Sequence, residues 1–223
     1  MNGQSSVVDW RDGQVPVSAR FDDPYYSLEN GLAETRHVFH AGNGLPQRLV
    51  DGFHIAELGF GTGLNLLATL ALWRQAGAPG TLRFTTFEAF PLAAEDMLRA
   101  QSAFAELAEI AAELAPHWRA GARRFAVPGL AFEMIAGDAR QTLPAWQGQA
   151  DAWFLDGFSP AKNPELWEPA LLAAVAAHTA PGGTAATYSA AGGVRRALAE
   201  AGFTVERVPG YGRKRHMTVA RMR

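Results

Sequence analysis

The sequence has no cysteine among its 223 residues. This absence excludes a disulfide framework, a thiolate zinc site, an iron–sulfur cluster and a cysteine nucleophile. The six histidines show none of the paired spacings of a metal site, so we expect no metal. No apolar run approaches the roughly 18 residues of a membrane span, and the polar N-terminus has no signal-peptide core. We therefore expect a cytoplasmic protein that does not associate with membranes.

Lysine is also scarce, because Lys162 and Lys214 are the only lysines among 20 basic residues. With 22 acidic residues the formal net charge is −2, so the overall charge does not indicate a nucleic-acid binder. The basic residues nevertheless concentrate near the C-terminus, at Arg207, Arg213, Lys214, Arg215, Arg221 and Arg223. Such a patch binds phosphates even on a neutral protein, and a solvated end of an arginine-rich chain is the alternative.

Alternating strands and helices occupy most of the chain. Period-two and continuous apolar runs predict seven strands, at residues 53–58, 81–88, 130–135, 151–155, 183–188, 203–208 and 216–221. Helices are predicted between them, at residues 64–76, 93–118, 139–146, 164–178 and 193–201. Strands that alternate with helices form a mostly parallel sheet. The last two strands have a connection too short for a parallel crossover, so they should pair as an antiparallel hairpin.

The predicted fold is therefore α/β, with a mostly parallel seven-stranded sheet and one antiparallel strand near the C-terminus. This is the arrangement of class I (Rossmann-like) methyltransferases, and we assign it to residues 51–223. Residues 1–50 lack a long periodic pattern and are expected to form an N-terminal extension, or a lid on the substrate side. A short helix that Ser27 caps is predicted to run to Phe39 in this extension.

A glycine-rich loop follows the first predicted strand. Residues 57–63 read Glu-Leu-Gly-Phe-Gly-Thr-Gly, and Gly59, Gly61 and Gly63 let the backbone approach a ligand at the start of a helix. The spacing matches neither the dinucleotide fingerprint nor the phosphate loop. Glu57 opposes a phosphate and suits the ammonium of a methionyl group, which indicates S-adenosyl-L-methionine. A plain structural turn is the alternative.

Carboxylates end further predicted strands. Glu88 ends the second strand, where an acid accepts hydrogen bonds from ribose hydroxyls. Asp138 follows the third strand, where it is expected to take the adenine amino group. Any one acid at a strand end is more often a helix cap or a solvated loop residue. Because ligands bind outside the carboxyl ends of parallel strands, the acids at four successive strand ends together predict a cofactor site.

The stretch 151–164 reads Asp-Ala-Trp-Phe-Leu-Asp-Gly-Phe-Ser-Pro-Ala-Lys-Asn-Pro and places Asp156 at the end of the fourth strand. Methyl transfer depends mostly on positioning, and a carboxylate orients an acceptor amine and collects its proton. Asp156 is therefore the candidate catalytic residue, and Phe158 is placed to stack on a flat base. The alternative is that Asp156 caps the next helix while Phe158 packs on the core. Tyr188, at the end of the fifth strand, either contacts the acceptor or packs in the core.

These residues resemble a known family, the methyltransferase domain of the bifunctional wobble-uridine enzymes MnmC and their stand-alone relatives, called MnmD. The resemblance covers nearly the whole chain. It runs from residues 21–27 (Phe-Asp-Asp-Pro-Tyr-Tyr-Ser) and 31–39 through the glycine loop and residues 151–167 to residues 210–215 (Gly-Tyr-Gly-Arg-Lys-Arg). Residues 151–167 are highly specific to the family, whereas the glycine loop is not.

The resemblance implies methylation of the 5-aminomethyl group of (2-thio)uridine at the tRNA wobble position, which gives 5-methylaminomethyl-2-thiouridine. It also implies S-adenosyl-L-methionine as the cofactor without FAD, tRNA as the partner, and Asp156 as the catalytic aspartate. We expect the substrate to contact residues of the matching motifs and the strand ends, namely Tyr26, Phe158, Lys162, Tyr188, Arg213, Lys214 and Arg215.

The sequence departs from the family pattern at two places. MnmC proteins continue into a FAD-dependent domain that removes a carboxymethyl group, and these 223 residues do not include it. We therefore expect this step to be absent, to be done by a separate FAD-dependent or aminomethyl-forming enzyme, or to belong to a part of the gene outside these residues. The basic motif of the family usually continues Arg-Glu-Met, where this chain has Arg215, His216 and Met217.

Two other functions fit the same residues. An S-adenosyl-L-methionine-dependent amine methyltransferase of small molecules would act without tRNA and would not need Arg213, Lys214 and Arg215. A cofactor-binding or RNA-binding module would bind without turnover, and the intact Asp156 loop argues against it.

Overall fold

The computed structural model describes residues 7–11, 15–27 and 30–223. The strands β1 (Val8–Arg11), β2 (Val15–Ser18) and β3 (Asp23–Pro24) form a small sheet in chain order, with antiparallel pairing. The helix α1 (Gly31–Thr35) follows and continues as a π-helical turn at Arg36–His40 and a 3₁₀ turn at Ala41–Asn43. The expected Ser27 cap is wrong, because the extended residue Asn30 caps α1 by accepting the Ala33 N–H.

Eight more strands and six more helices follow. The strands are β4 (His54–Leu58), β5 (Leu82–Glu88), β6 (Arg124–Val127), β7 (Leu130–Ala136), β8 (Ala150–Leu155), β9 (Thr179–Thr187), β10 (Phe203–Pro209) and β11 (His216–Met222). The helices are α2 (Leu64–Gln75), α3 (Ala94–Gln101), α4 (Ala108–Arg119), α5 (Ala139–Thr142), α6 (Pro169–Ala177) and α7 (Gly192–Glu200), with 3₁₀ turns at Ala105–Leu107 and Pro164–Trp167. Within the described part of the chain, no helix has the length and apolar character needed to span a membrane.

The eight strands form one sheet in the order β10-β11-β9-β8-β4-β5-β7-β6. Its central pairs are parallel, and β11 runs antiparallel to both β9 and β10, which confirms the predicted α/β arrangement. The sheet has one strand more than the seven that we predicted. This strand, β6, pairs antiparallel with β7 through a tight turn at Pro128 and Gly129. Its four residues are too few for a clear alternation, so the pattern did not reveal it.

The core lies on both faces of the sheet. One face packs against α2, α4 and the α1 segment, and the other packs against α5, α6 and α7. Leu32, Val38 and Phe39 are buried in the first of these layers, and the Phe39 ring stacks on Phe154 of β8 at 5.1 Å. The α1 segment of the predicted N-terminal extension therefore contributes to the core, because its apolar side chains pack against the sheet.

The crevice above the sheet lies where the strand order reverses. From β4 the sheet continues through β5 and β7 on one side and through β8 and β9 on the other. The loops that leave β4 and β8 therefore diverge and create the kind of opening in which α/β proteins bind ligands. Leu58 pairs with Leu155 in register, so the next residues, Gly59 and Asp156, lie side by side at this opening.

Candidate active site

A cavity of about 650 Å³ occupies the crevice, which is within the usual size range of small-molecule sites. Its floor comes from the loops that follow β4, β5 and β8, and residues 20–27 of the N-terminal segment form part of its wall. Glu34 of α1 and Lys214 of the β10–β11 connection also reach it. The cavity therefore brings together parts of the chain as far apart as Arg20 and Lys214.

The glycine loop adopts a backbone conformation that residues other than glycine tolerate poorly. Gly59, Gly61 and Gly63 have φ angles of 84°, 53° and 75°. A Cβ atom at Gly59 would overlap the backbone carbonyl oxygen of Asp156, and one at Gly61 would lie 3.0 Å from the Tyr25 ring. Gly59 and Gly61 line the cavity, whereas Gly63 packs against Phe60 outside its wall. The first two glycines are thus required by close approaches beside the cavity.

Glu88 holds the glycine loop in place. One carboxylate oxygen accepts the backbone N–H groups of Phe60 and Gly61, at 2.9 and 3.2 Å, and the other accepts the Phe90 N–H at 2.7 Å. Because two loop amides already donate to Glu88, they are not presented to a phosphate. Glu88 also lines the cavity, as expected for a residue that contacts a cofactor.

Asp138 lines the cavity and caps a helix at the same time. It accepts the Arg140 N–H at 2.9 Å as the N-cap of α5, and its carboxylate pairs with the Arg140 guanidinium at 2.6 Å. The bonds from Arg140 hold the pKa of Asp138 below its usual value. Asp138 is therefore ionised at neutral pH. The helix cap is confirmed, and the contact with the adenine amino group stays a prediction.

Glu57 is fully buried and does not line the cavity, so the direct contact with a methionyl ammonium that we expected is wrong for this structure. Its two carboxylate oxygens accept the Asn65 side-chain amide and the Thr86 hydroxyl, each at 2.9 Å. Burial raises the pKa of Glu57 well above its usual value. The residue supports Asn65 from below the cavity.

Asp156 accepts a hydrogen bond of 2.7 Å from the second N–H of the Asn65 amide. Burial raises its pKa from 3.8 to about 7, although the bond from Asn65 acts in the opposite direction. A carboxyl group with a pKa close to the working pH exchanges protons efficiently. Asp156 lines the cavity beside Gly59, where it can accept a proton from a bound amine.

Aromatic side chains enclose the same end of the cavity. The Phe158 ring stacks on Phe21 with centroids 4.8 Å apart, and the Tyr25 ring meets it edge-on at 5.1 Å. Tyr26 also lines the cavity and packs edge-on against Phe104 at 5.1 Å, and burial raises its pKa to about 12. Phe158 thus belongs to an aromatic wall that includes the N-terminal segment, which the sequence did not predict.

Tyr188 contacts residues 156–163, which follow β8, carry the candidate catalytic residue Asp156 and form the catalytic loop. Its hydroxyl donates a 2.6 Å hydrogen bond to the Gly157 carbonyl oxygen, and its ring lies 3.9 Å from the Lys214 ammonium. Burial, followed by the charges of Asp156, Asp23 and Glu34, raises the pKa of Tyr188 above its usual value. The hydroxyl therefore stays protonated and holds the loop.

Two lysines make contacts that the sequence did not predict. Lys162 bonds to the Asp22 carbonyl oxygen and lies 3.3 Å from the Asp22 carboxylate and 3.8 Å from Asp23. Lys214 forms an ion pair of 2.7 Å with Glu34. The lysines thus join the N-terminal segment to the catalytic loop and to the β10–β11 connection. Arg213 and Arg215 flank Lys214 on the exposed surface of that connection.

Asn65 and Glu34 are site residues that sequence analysis missed. Asn65 had a visible signal, because it is a polar residue between buried leucines in the first turn of α2. Glu34 had none, since a glutamate in a short amphipathic helix is ordinarily solvated.

Comparison with known proteins identifies the family. Residues 103–223 match a family described as S-adenosyl-L-methionine-dependent methyltransferase. A protein of Caulobacter sp. (strain K31), named tRNA 5-methylaminomethyl-2-thiouridine biosynthesis bifunctional protein MnmC, is 48% identical over 95% of this chain and 37% of its own length. The protein of that name from Hahella chejuensis is 45% identical over 95% of this chain and 36% of its own length.

A solved structure gives the same result. The crystal structure of MNMC2 from Aquifex aeolicus superposes with a TM-score of 0.74 and is 28% identical, covering 98% of this chain and 71% of that one. The chain spans little more than a third of the length of the bifunctional relatives. On these matches, the chain belongs to the family of S-adenosyl-L-methionine-dependent methyltransferases, and its sequence relatives are the MnmC proteins.

Proposed function

We propose that the chain methylates the amino group of 5-aminomethyl-(2-thio)uridine at the tRNA wobble position, which gives 5-methylaminomethyl-2-thiouridine. The observation that carries this proposal is the partly buried Asp156 carboxyl, which faces the cavity beside the glycine loop with a pKa of about 7. The names of the MnmC relatives supply the substrate. That a separate enzyme forms the aminomethyl group stays a prediction.

The cavity suits S-adenosyl-L-methionine in shape and charge. Gly59 and Gly61 permit the close approach of Asp156 and Tyr25, and thereby shape this part of the cavity. Six carboxylate side chains and three cationic ones line the described cavity, so it favours a cationic ligand over a phosphate. When bound, this cofactor supplies an electrophilic methyl group. We assign its contacts to Gly59, Gly61, Glu88 and Asp138, and we assign supporting roles to Glu57 and Gly63.

Asp156 handles the proton of the acceptor amine. An ammonium has no lone pair, so it must lose a proton before its nitrogen can attack a methyl carbon. Above pH 7 Asp156 is ionised and accepts that proton, and Asn65 holds the carboxylate towards the cavity. The aromatic wall of Phe21, Tyr25 and Phe158 contacts the flat uracil ring on this proposal.

The exposed arginines Arg213 and Arg215 are assigned to the tRNA phosphates. They are the neighbours of Lys214, which lines the cavity. Contacts between these arginines and the tRNA phosphates would therefore bring a nucleotide to the opening of the cavity. Lys162 and Lys214 contact carboxylates of the protein.

The test is mass spectrometry of nucleosides from tRNA that carries 5-aminomethyl-2-thiouridine, after incubation with the protein and labelled S-adenosyl-L-methionine. We expect labelled 5-methylaminomethyl-2-thiouridine with the wild-type protein. Asp156→Asn should bind the cofactor normally and lose at least about 100-fold in turnover, since general acid–base groups contribute that much. Label that appears only in a free small-molecule amine would replace this proposal with the small-molecule function.

A further inference from the structure

Lys214 is a cation seated inside an acidic cavity. Of the cations in the described cavity wall, the Arg20 guanidinium lies 4.2 Å from the Phe90 ring centroid, and Arg140 pairs with Asp138. Lys214 lines the same cavity as Asp156 and Tyr188. The Tyr188 ring that contacts the Lys214 ammonium also carries the hydroxyl that bonds to the carbonyl oxygen of Gly157, the residue after Asp156. An ammonium group is therefore already present beside the proposed catalytic carboxyl.

Two side chains, which form the two walls of a subsite, contact this ammonium. The Glu34 carboxylate lies 2.7 Å from Lys214 Nζ, and the centroid of the Tyr188 ring lies 3.9 Å from it. A carboxylate with an aromatic face is a general recognition site for ammonium ions. Both walls are fixed, because the Glu34 side chain is only 12% exposed and the Tyr188 hydroxyl bonds to Gly157. Lys214 is the residue that can move, because its side chain is flexible and 44% exposed to solvent.

We propose that Glu34 and Tyr188 form the subsite for the ammonium group of the acceptor, and that Lys214 occupies this subsite until the substrate displaces it. This inference rests on the proposed function, because it takes an aminomethyl nucleotide as the substrate. The incoming ammonium replaces Lys214 charge for charge, so Glu34 keeps a partner throughout. Released Lys214 swings out to the surface beside Arg213 and Arg215.

Displacement of Lys214 explains how the site selects its substrate. A tRNA with an unmodified wobble uridine brings no cation, so its uracil would enter only by leaving Glu34 without a counter-ion or by crowding Lys214. A carboxylate that is nearly buried and unpaired is costly. The aminomethyl group avoids this cost and also delivers its nitrogen to the neighbourhood of Asp156. Glu34 and Lys214 are thus specificity residues for the amine.

The experiment measures binding of two tRNAs that differ only in the aminomethyl group, without cofactor. The variants are Glu34→Gln and Lys214→Met, which remove a charge and keep the length of the side chain. Glu106→Gln is the matched control, because Glu106 forms an exposed ion pair of 2.9 Å with Arg36 outside the cavity. Thermal unfolding of each variant identifies any that fail to fold, and Tyr188→Leu then tests the other wall of the subsite.

The proposal expects the wild-type protein to prefer the aminomethyl tRNA, and Glu34→Gln to lose about tenfold of that preference, as for one charge-assisted hydrogen bond. Lys214→Met should strengthen the preference, and Glu106→Gln should leave it unchanged. The proposal is overturned if Glu34→Gln keeps the wild-type preference, or if Lys214→Met weakens both tRNAs equally with a shallower salt dependence, as a phosphate contact would. The proposed function is judged separately, by methyl transfer to the same tRNA.

Discussion

The side-chain amide of Asn65 donates to Asp156 over 2.7 Å, and its other N–H donates to Glu57 over 2.9 Å. The Asn65 carbonyl oxygen in turn accepts the Thr35 hydroxyl at 2.8 Å. One buried amide therefore connects the strand ends of β4 and β8 and fixes the direction of the proposed catalytic carboxyl. Asn65 acts through Asp156, so it is a positioning residue.

Replacing Asn65 should change both the rate and its pH dependence. Asn65→Leu keeps the volume, removes the side-chain donor of Asp156 and leaves the buried Glu57 with Thr86 as its donor, which costs about 2 kcal/mol in the free energy of unfolding. Because the bond from Asn65 favours the ionised form of Asp156, its loss should raise the pKa and shift the acid limb of the rate profile to higher pH. Rate profiles from pH 5 to pH 9 check this.

Thr86→Val is the control for Asn65→Leu. It removes the hydroxyl that donates to Glu57 and leaves the bond between Asn65 and Asp156 in place. We expect Thr86→Val to lower the free energy of unfolding and to leave the acid limb of the rate profile unshifted. Equal shifts in both variants would show that Asn65 acts only on stability.

The stability of the protein should depend on the charge of Asp156. Its pKa is 3.8 in ordinary surroundings and about 7 in the fold, so the folded state binds the extra proton between these two values. The stability that the protonated group contributes is full below pH 3.8 and is lost as the pH rises to 7. Asp156→Asn removes this dependence, because its amide does not ionise.

The free energy of unfolding of Asp156→Asn should therefore exceed that of the wild-type protein increasingly as the pH rises. The difference should grow by roughly 1 kcal/mol per pH unit between pH 5 and pH 7 and then level off, since one pKa unit corresponds to about 1.4 kcal/mol. Denaturant unfolding at pH 5, 6, 7 and 8 measures it. A difference that does not vary with pH would contradict the raised pKa.

The parts of the fold that were predictable depend on local patterns. Apolar strands followed by turn residues located the strand ends of Glu88, Asp138 and Asp156, and all three side chains line the cavity. Strand β6 and the helix cap at Asn30 were missed because each depends on a few residues with no sustained period.

The contacts that were not predictable join distant parts of the chain. Lys162 reaches Asp22 across 140 residues, and Lys214 reaches Glu34 across 180. Nothing in the sequence near either lysine indicates its carboxylate partner, so both were assigned to the substrate. The sequence around Glu57 likewise does not indicate its partners. Its hydrogen-bond donors lie on α2 and β5 and engage the carboxylate beneath the cavity.

Gly59 should be essential for cofactor binding because a side chain there has no room. A second glycine with a positive φ angle but open surroundings serves as the control. Gly59→Ala places a Cβ against the Asp156 carbonyl oxygen at a φ of 84°, so either the glycine loop or the catalytic loop must move. We expect loss of S-adenosyl-L-methionine binding by calorimetry. Gly77 also has a positive φ, 60°, but a Cβ there meets nothing within 4 Å. Gly77→Ala should cost only about 1 kcal/mol of strain and bind normally. Similar binding by both variants would exclude the steric explanation.

Lys162 should stabilise the N-terminal segment and not contact tRNA, because its ammonium is already engaged by Asp22 and Asp23. Lys162→Met should therefore leave the salt dependence of tRNA binding unchanged, whereas Arg215→Met should lower its slope by about one. Exposed ion pairs contribute at most about 1 kcal/mol, so the segment should open only a few times more often. Limited trypsin cleavage after Arg20 measures that opening. A reduced salt slope in Lys162→Met, with cleavage after Arg20 unchanged, would return Lys162 to the tRNA-binding surface.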